Sequence, residues 1–164
     1  MRKLIGLLVL LNAFALAAPT QQSGPILSVG GAVDNPLQLT AADLAAMPRE
    51  KAAFTDHDAQ TREYEGVRLT EILKRAGAPS GEKLRGQALT LGIIVEATDG
   101  YRVAFTLGEL DSTYGNKTAI VADRVNSAPL TGNEAPLRLI VPGEQHVARS
   151  VRGVKRIEVV RIGG

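Results

Sequence analysis

The sequence predicts a single α+β domain with a β-rich mixed core and short helices. Apolar residues recur in short alternating or continuous runs, which is typical of strands, and only two segments carry clear signals for a helix start and stop. No internal repeat, charge block or linker divides the chain. Its 164 residues are enough for one domain with its own core. These observations favour one layered domain.

The first 17 residues predict a secretory signal peptide. A short basic start, MRK, precedes the uncharged apolar run LIGLLVLLNAFALA, and Ala15-Leu16-Ala17 fits the small-x-small pattern of a cleavage site. The run is shorter than the roughly 20 apolar residues that a membrane span needs. We therefore expect cleavage after Ala17 and a periplasmic or secreted protein without a membrane span. The expected mature chain has a flexible lead-in at 18–25 and a domain at 26–164.

The charge balance argues against two classes of partner. The chain has 19 Lys and Arg against 17 Asp and Glu, but Arg2 and Lys3 lie in the predicted leader, which contains no acid. The remaining chain is therefore neutral, and nothing in it favours nucleic acid or an anionic membrane as a partner. The chain has no cysteine and two histidines, which excludes thiolate chemistry, iron–sulfur clusters and a multi-histidine metal site.

Two helices are predicted from their start and stop residues. Thr40 is a good N-cap for a helix over AADLAAM, with Asp43 at the third position of a capping box. A second helix, TEILKRAG, begins at Thr70 and ends at Gly77, the usual type of residue after a helix C-terminus. A single helical turn is expected at 107–110.

Strands are expected from eight apolar runs, most of which alternate with polar residues. One pair is joined by Asp99-Gly100, a dipeptide typical of tight hairpin turns because glycine accepts positive φ freely. Tyr101 follows this turn, and the sequence leaves open whether it packs in the core or lines a pocket. The predicted strands cover residues 26–31, 51–55, 62–67, 89–95, 103–105, 119–122, 137–141 and 154–162.

Local signals for chemistry are weak. Asp56-His57-Asp58 contains metal-ligand residue types, but consecutive residues of an extended chain point to opposite faces, so we expect a surface turn and no metal site. Ser150 lacks the G-x-S-x-G context of a serine hydrolase. The C-terminal part is cationic and forms either a solvated strand face or an anion pocket. In the first case Arg138 would only bridge an internal carboxylate and Arg152 would face water. The basic residues of this part are Arg138, Arg149, Arg152, Lys155 and Arg156.

The order of several short motifs resembles a known family. The chain contains LTAADLAAMP at 39–48, YEGVRL at 64–69, DGY at 99–101, PLRLIVPG at 136–143 and SVR at 150–152. Together they resemble the oxidoreductase molybdopterin-binding domain, the fold of the sulfite oxidase family, from about Ile26 to Ile162. The resemblance implies a β-rich α+β domain, in agreement with the residue patterns.

The resemblance also implies where a cofactor would lie. Active members hold molybdenum through a pterin dithiolene and one cysteine, and here Asp56 or His57 stands roughly in that cysteine's place. Ser150 and Arg152 stand where the family holds the pterin phosphate, while Gly153 replaces an aromatic residue. The implied cofactor-binding positions are Ser150, Arg152, Arg138, Tyr101 and Asp99. Only this resemblance implies molybdopterin as a cofactor.

We nevertheless expect no cofactor in this chain. The ligand cysteine is missing, and the leader has no Arg-Arg pair. Such a leader favours the general secretory route, which carries unfolded chains without a bound pterin. The expected function is a binding module for a small anion, a pterin-like ligand or a protein partner. Two alternatives stay open: a molybdopterin-dependent oxidoreductase of a small oxyanion with a non-cysteine metal ligand, and a subunit of a redox or signalling complex at the membrane.

Overall fold

The computed structural model describes residues 24–163, and the predicted leader lies outside them. Within this range, strands form two sheets that short helices connect, which confirms the predicted α+β class with a β-rich core. None of the helices in this range has the length and hydropathy that a membrane-spanning helix needs. The strands are β1 (Leu27–Gly31), β2 (Leu37–Leu39), β3 (Arg49–Thr55), β4 (Thr61–Arg68), β5 (Leu91–Ala97), β6 (Arg102–Thr106), β7 (Ile120–Val125), β8 (Ala128–Pro129), β9 (Arg138–Ile140) and β10 (Val154–Arg161).

The two sheets have different strand orders. The first sheet runs β2-β1-β10-β5-β6, with β1 and β10 parallel and the other neighbours antiparallel. The second sheet runs β3-β4-β7-β8, and β9 also pairs with β7. A large apolar core lies against the first sheet, whereas a smaller cluster that includes Phe54, Tyr64 and Ile120 lies on the second. The smaller cluster matters below because it surrounds a buried arginine.

The helices begin where local hydrogen bonds cap them. In α1 (Ala41–Ala45), the Thr40 hydroxyl accepts from the Asp43 backbone N–H at 3.2 Å, and the Asp43 carboxylate accepts from the Thr40 N–H at 2.9 Å. This confirms the predicted capping box. Helix α2 (Leu69–Arg75) begins one residue before the predicted Thr70, with Arg68 at the N-cap position, and α3 (Leu107–Leu110) is the predicted helical turn.

Several predicted strand boundaries are wrong by one to three residues, and the short strands β2 and β8 were not predicted. Leu89 belongs to a 3₁₀ turn, Gly86–Thr90, and the strand begins at Leu91. Apolar residues alternate with polar ones through this turn as well as the strand, so the pattern predicted a strand that begins two residues too early. The three-residue strand β2 was missing from the prediction because so short a segment has no measurable period.

The junction of the two sheets positions the candidate site. On one side β9 pairs with β7, and on the other its backbone bonds to the chain that leads into β10. Leu139 donates its N–H to the Val151 carbonyl at 2.7 Å, and Val154 donates to the Leu137 carbonyl at 2.8 Å. Between these two hydrogen bonds, Arg138 and Arg152 form an isolated antiparallel bridge. Two motifs of the C-terminal part are thus held side by side.

Candidate functional site

A cavity of about 220 Å³ lies beside this junction. The structure brings all of the predicted site residues to its wall: Asp99, Tyr101, Arg138, Ser150 and Arg152. They come from the β5–β6 turn, from β9 and from the segment before β10. Asp56 and His57, at the end of β3, complete its polar lining. The geometry therefore places these residues together, while their role in binding a ligand stays a prediction.

The centre of the site is the side chain of Arg138. It is 1% exposed and lies against two aromatic rings, with its guanidinium carbon 5.2 Å from the ring centroids of both Phe54 and Tyr64. The two rings meet edge to face. Contacts of a guanidinium with ring faces are attractive, but they do not replace lost hydration, so a fully buried arginine also needs anionic partners.

Two carboxylates supply those partners. The Arg138 Nη2 lies 2.8 Å from the Asp56 Oδ2, and its Nη1 donates to the Glu134 carboxylate and to the Tyr64 hydroxyl, the latter at 2.8 Å. Arg152 joins the same cluster, because its Nη2 also lies 2.8 Å from the Asp56 Oδ2. Two guanidinium groups thus meet two carboxylates, and this four-residue cluster, Asp56, Glu134, Arg138 and Arg152, has no net charge.

Asp56 has an environment that a surface turn would not provide. Burial by itself would raise the pKa of its carboxyl, but the His57 backbone N–H and the guanidiniums of Arg152 and Arg138 outweigh it and hold that pKa well below its usual range. The prediction of a surface turn at Asp56-His57-Asp58 is therefore wrong for Asp56, whereas His57 and Asp58 are exposed. Asp56 differs from its two neighbours because it pairs with arginines that are distant in the sequence.

Sequence reasoning named Asp56 only as a turn residue or a stand-in for the family's cysteine and did not identify Asp56 or Glu134 as a partner of Arg138. A signal for them existed, because Arg138 lies in the apolar run LRLIV, and an arginine at a buried strand position requires a carboxylate nearby. Nothing in the sequence says which of the 17 acids it is. Asp56 and Glu134 both lie in loop-like segments where acids are common.

The other lining residues are partly used by the backbone. The Ser150 hydroxyl accepts from the Val141 N–H at 3.0 Å, and the Tyr101 hydroxyl donates to the Ala148 carbonyl at 2.9 Å. The Asp99 carboxylate accepts from the Tyr101 N–H at 2.9 Å, and Gly100 has φ of +87°, as the predicted hairpin turn requires. Tyr101 is 48% exposed, so it lines the cavity from outside the core.

Gly153 shows why the aromatic residue that the resemblance implies is absent here. Its φ is +61°, a left-handed conformation that favours glycine, and an added Cβ would lie 2.9 Å from the Thr98 hydroxyl. The Thr98 N–H also donates to the Gly153 carbonyl at 2.9 Å, which holds this turn against the end of β5. A larger residue at this position would have a strained backbone and would require the Thr98 hydroxyl to move.

The other predicted cations lie outside the cavity wall. Arg149 pairs with Glu109 and Glu144 and lies over the Phe105 ring, 4.5 Å from its centroid. Lys155 pairs with Glu96 on β5, and Arg156 pairs with Glu158 on β10, both at the surface. Lys155 and Arg156 therefore lie on a solvated strand face, as one of the two interpretations predicts. Of the five basic residues, only Arg138 and Arg152 line the cavity.

Comparison with known proteins identifies the family. The family profile described as the oxidoreductase molybdopterin binding domain matches residues 17–162. The chain belongs to this family. A search of curated proteins found no match.

A solved structure supports the same fold. The crystal structure of the sulfane dehydrogenase SoxCD from Paracoccus pantotrophus superposes with a TM-score of 0.66 at 20% sequence identity. The match covers 88% of this chain and 40% of that chain. At this identity the likeness concerns the fold of the molybdopterin-binding domain and nothing finer.

The residues of this site differ from those that hold the metal in active members of the family. No thiol exists in the chain, and the Oδ2 of Asp56, near the expected metal position, already accepts from two guanidiniums. The 220 Å³ cavity is also smaller than the roughly 300–1,000 Å³ of typical cofactor pockets.

Larger hollows lie elsewhere among the described residues. One, of about 870 Å³, lies beside the end of α2, and another, of about 860 Å³, lies beside α1. Neither of these two shares a lining residue with the candidate site. Volume alone would select them, but they contain none of the family's motif residues at 99–101 and 150–152, so the smaller cavity is the better candidate.

Proposed function

We propose that this chain is an exported, molybdenum-free member of its family that binds a small anion in the 220 Å³ cavity, with Arg152 as the main contact. One observation carries the proposal: the Arg152 side chain is 39% exposed at the cavity wall, whereas Arg138 is enclosed. An enclosed guanidinium can shape a site but cannot reach a ligand from solvent. Arg152 can, and its planar N–H groups suit oxygen acceptors.

The cavity supports a small ligand with oxygen acceptors. Its volume suits sulfite, sulfate, phosphate or a short carboxylate better than a pterin. The Nε of Arg152 is buried without a hydrogen-bond partner among the described residues and lies 3.7 Å from the Glu134 Oε1, so the N–H groups at the exposed end of the side chain are those that a ligand can reach. Because the four-residue cluster is neutral, the affinity comes from directed hydrogen bonds and not from a net positive field.

The molybdenum-free part of the proposal rests on the ligand set and on the leader. The thiol is missing, and a leader without an Arg-Arg pair favours transport of an unfolded chain. The alternative, a molybdopterin-dependent oxidoreductase with a carboxylate metal ligand, would require Asp56 to leave both guanidiniums. That exchange would take a carboxylate away from the buried Arg138 and leave Glu134 as the remaining acid of the cluster, which is costly.

A thermal-shift screen tests the anion site. Phosphate, sulfate, sulfite and small carboxylates are added to the wild type, to Arg152→Ala and to Arg156→Ala, and each protein is compared with its own anion-free Tm. We expect a saturable rise in the wild type and in Arg156→Ala, worth about 2.7 kcal/mol at a hundredfold excess over Kd, and none in Arg152→Ala. Identical shifts in all three proteins, or none in any, would remove Arg152 from the site.

Analysis of protein recovered from its native host tests export and metal content. We expect the mature chain to begin at Ala18, export to continue in a strain without the twin-arginine translocase, and molybdenum to be far below one atom per chain. Stoichiometric molybdenum would overturn the proposal in favour of the oxidoreductase alternative. Loss of export in that strain would contradict the secretory route.

A further inference from the structure

The pairing of Arg138 with Arg152 requires an anion between them. The two residues face each other in an isolated antiparallel bridge, which brings the Cβ atoms of opposite residues to about 4.5–5.5 Å. Like charges in such a pair repel, and here one of them is fully buried. The backbone therefore builds a site for a bridging oxyanion before any acid is considered.

We infer that the Asp56 carboxylate is an internal ligand that occupies this two-arginine oxyanion site. One oxygen, Oδ2, lies 2.8 Å from an Nη2 of each arginine, as a bridging oxygen of a bound anion would. The other oxygen, Oδ1, accepts the His57 backbone N–H at 2.8 Å. The inference rests on the proposed function in taking this cavity for an anion site, and it adds what fills the inner part of that site.

The hairpin tip delivers Asp56 to this position. The backbone of Asp56 bonds to Gln60 across the turn, and the Ala59 N–H donates to the Asp56 carbonyl at 2.9 Å. Asp58, two residues later, points outward and pairs with Arg62. The same short turn thus presents Asp56 to the two arginines and Asp58 to solvent. Asp56 acts as the internal ligand, whereas Asp58 is an ordinary surface residue of the turn.

This occupancy accounts for the difference from the family's metal site and predicts a ligand class. A carboxylate of the chain, that of Asp56, stands near the expected place of the missing thiol and, together with Glu134, neutralises the two arginines. If its side chain is removed, the vacated space has the size and donors for a small monocarboxylate. Formate and acetate carry the same functional group as the aspartate side chain, so they are the probes of choice.

The test is chemical rescue of Asp56→Ala. In anion-poor buffer this variant should have a lower Tm than the wild type, and formate or acetate at about ten times its Kd should raise that Tm by roughly 3–6 °C in a saturable manner. If the variant is unfolded without added anion, its circular dichroism at rising formate is the readout, and recovery of the fold is expected. The double variant Asp56→Ala/Arg152→Ala should lose the response.

Two matched variants control for general salt effects. Asp58→Ala removes the outward acid of the same turn, and Asp56→Asn keeps the inner space filled with a neutral amide, so neither should respond more than the wild type. A response of Asp56→Ala that equals that of Asp58→Ala, or no recovery with formate, overturns the inference. A wild type that ignores anions while Asp56→Ala responds would refute the proposed function alone.

Discussion

Replacing Arg138 with methionine should destabilise the protein far more than the same replacement of Arg49. Both arginines bind two carboxylates, since Arg49 pairs with Glu65 and Asp123. The pairs differ in burial. The Arg138 side chain is 1% exposed, whereas that of Arg49 is 24% exposed and its partners are similarly open. The comparison therefore isolates the effect of burial at nearly constant chemistry.

The expected magnitude follows from the groups left behind. Methionine fills similar space but leaves Asp56 and Glu134 with Arg152 alone, so one buried negative charge is uncompensated, and the contacts with Phe54 and Tyr64 are weakened. Breaking a buried pair in this way costs about 3–5 kcal/mol, and because Arg152 still pairs with Asp56 we expect the lower end, about 3 kcal/mol. Arg49→Met should cost about 1 kcal/mol or less, because solvent screens its partners.

Urea denaturation followed by circular dichroism gives both free energies of unfolding. For a domain of this length, about 3 kcal/mol corresponds to a fall in Tm of roughly 10 °C. A double-mutant cycle with Asp56→Asn adds a second check: Arg138→Met should cost at least about 1 kcal/mol less in that background, because the stranded charge is gone. Equal costs for Arg138→Met and Arg49→Met, or simple additivity in the cycle, would refute the reasoning.

Three further predictions concern single residues. The pKa of Asp56 is lower in the folded state than in the unfolded state, so its charge stabilises the fold above the unfolded pKa, near pH 4, and this stabilisation is lost as pH falls towards the folded pKa. The free energies of unfolding of the wild type and Asp56→Asn should therefore converge on acidification. A difference that stays constant with pH would contradict this. Gly153→Ala should lower the free energy of unfolding by about 2 kcal/mol, more than Gly100→Ala does, because of these two positions only Gly153 would place the new Cβ against a neighbour, Thr98. Equal losses of stability in urea unfolding would argue against this crowding. His57→Ala should change the free energy of unfolding by less than about 1 kcal/mol without altering metal content, and a loss of bound metal in elemental analysis would restore the metal-site hypothesis.

The order of the family motifs also indicated which segments meet. Motifs at 99–101, 136–143 and 150–152 converge on one cavity, as the resemblance implies. The resemblance could do this because it carries information about a whole fold. It did not say which acids pair with Arg138 and Arg152, because those partners come from segments outside these motifs.

The sequence by itself determined the local structure of this protein. The capping box at Thr40 and Asp43 and the turn at Asp99-Gly100 each depend on residues within three positions, so their geometry can be derived from residue type and spacing. The errors at Leu69 and Leu89 are small for the same reason. Short-range hydrogen bonds and apolar periods carry most of the information on where elements lie.

Only the tertiary structure decided the character of the site. Asp56 and Arg152 are 96 positions apart, and in the sequence Asp56 looks like the turn acid Asp58. The difference arises when the sheet junction places two arginines side by side and one of them out of water. A buried charge must then find a partner at any distance along the chain, and the free energy of that pairing depends on burial, which no local pattern contains.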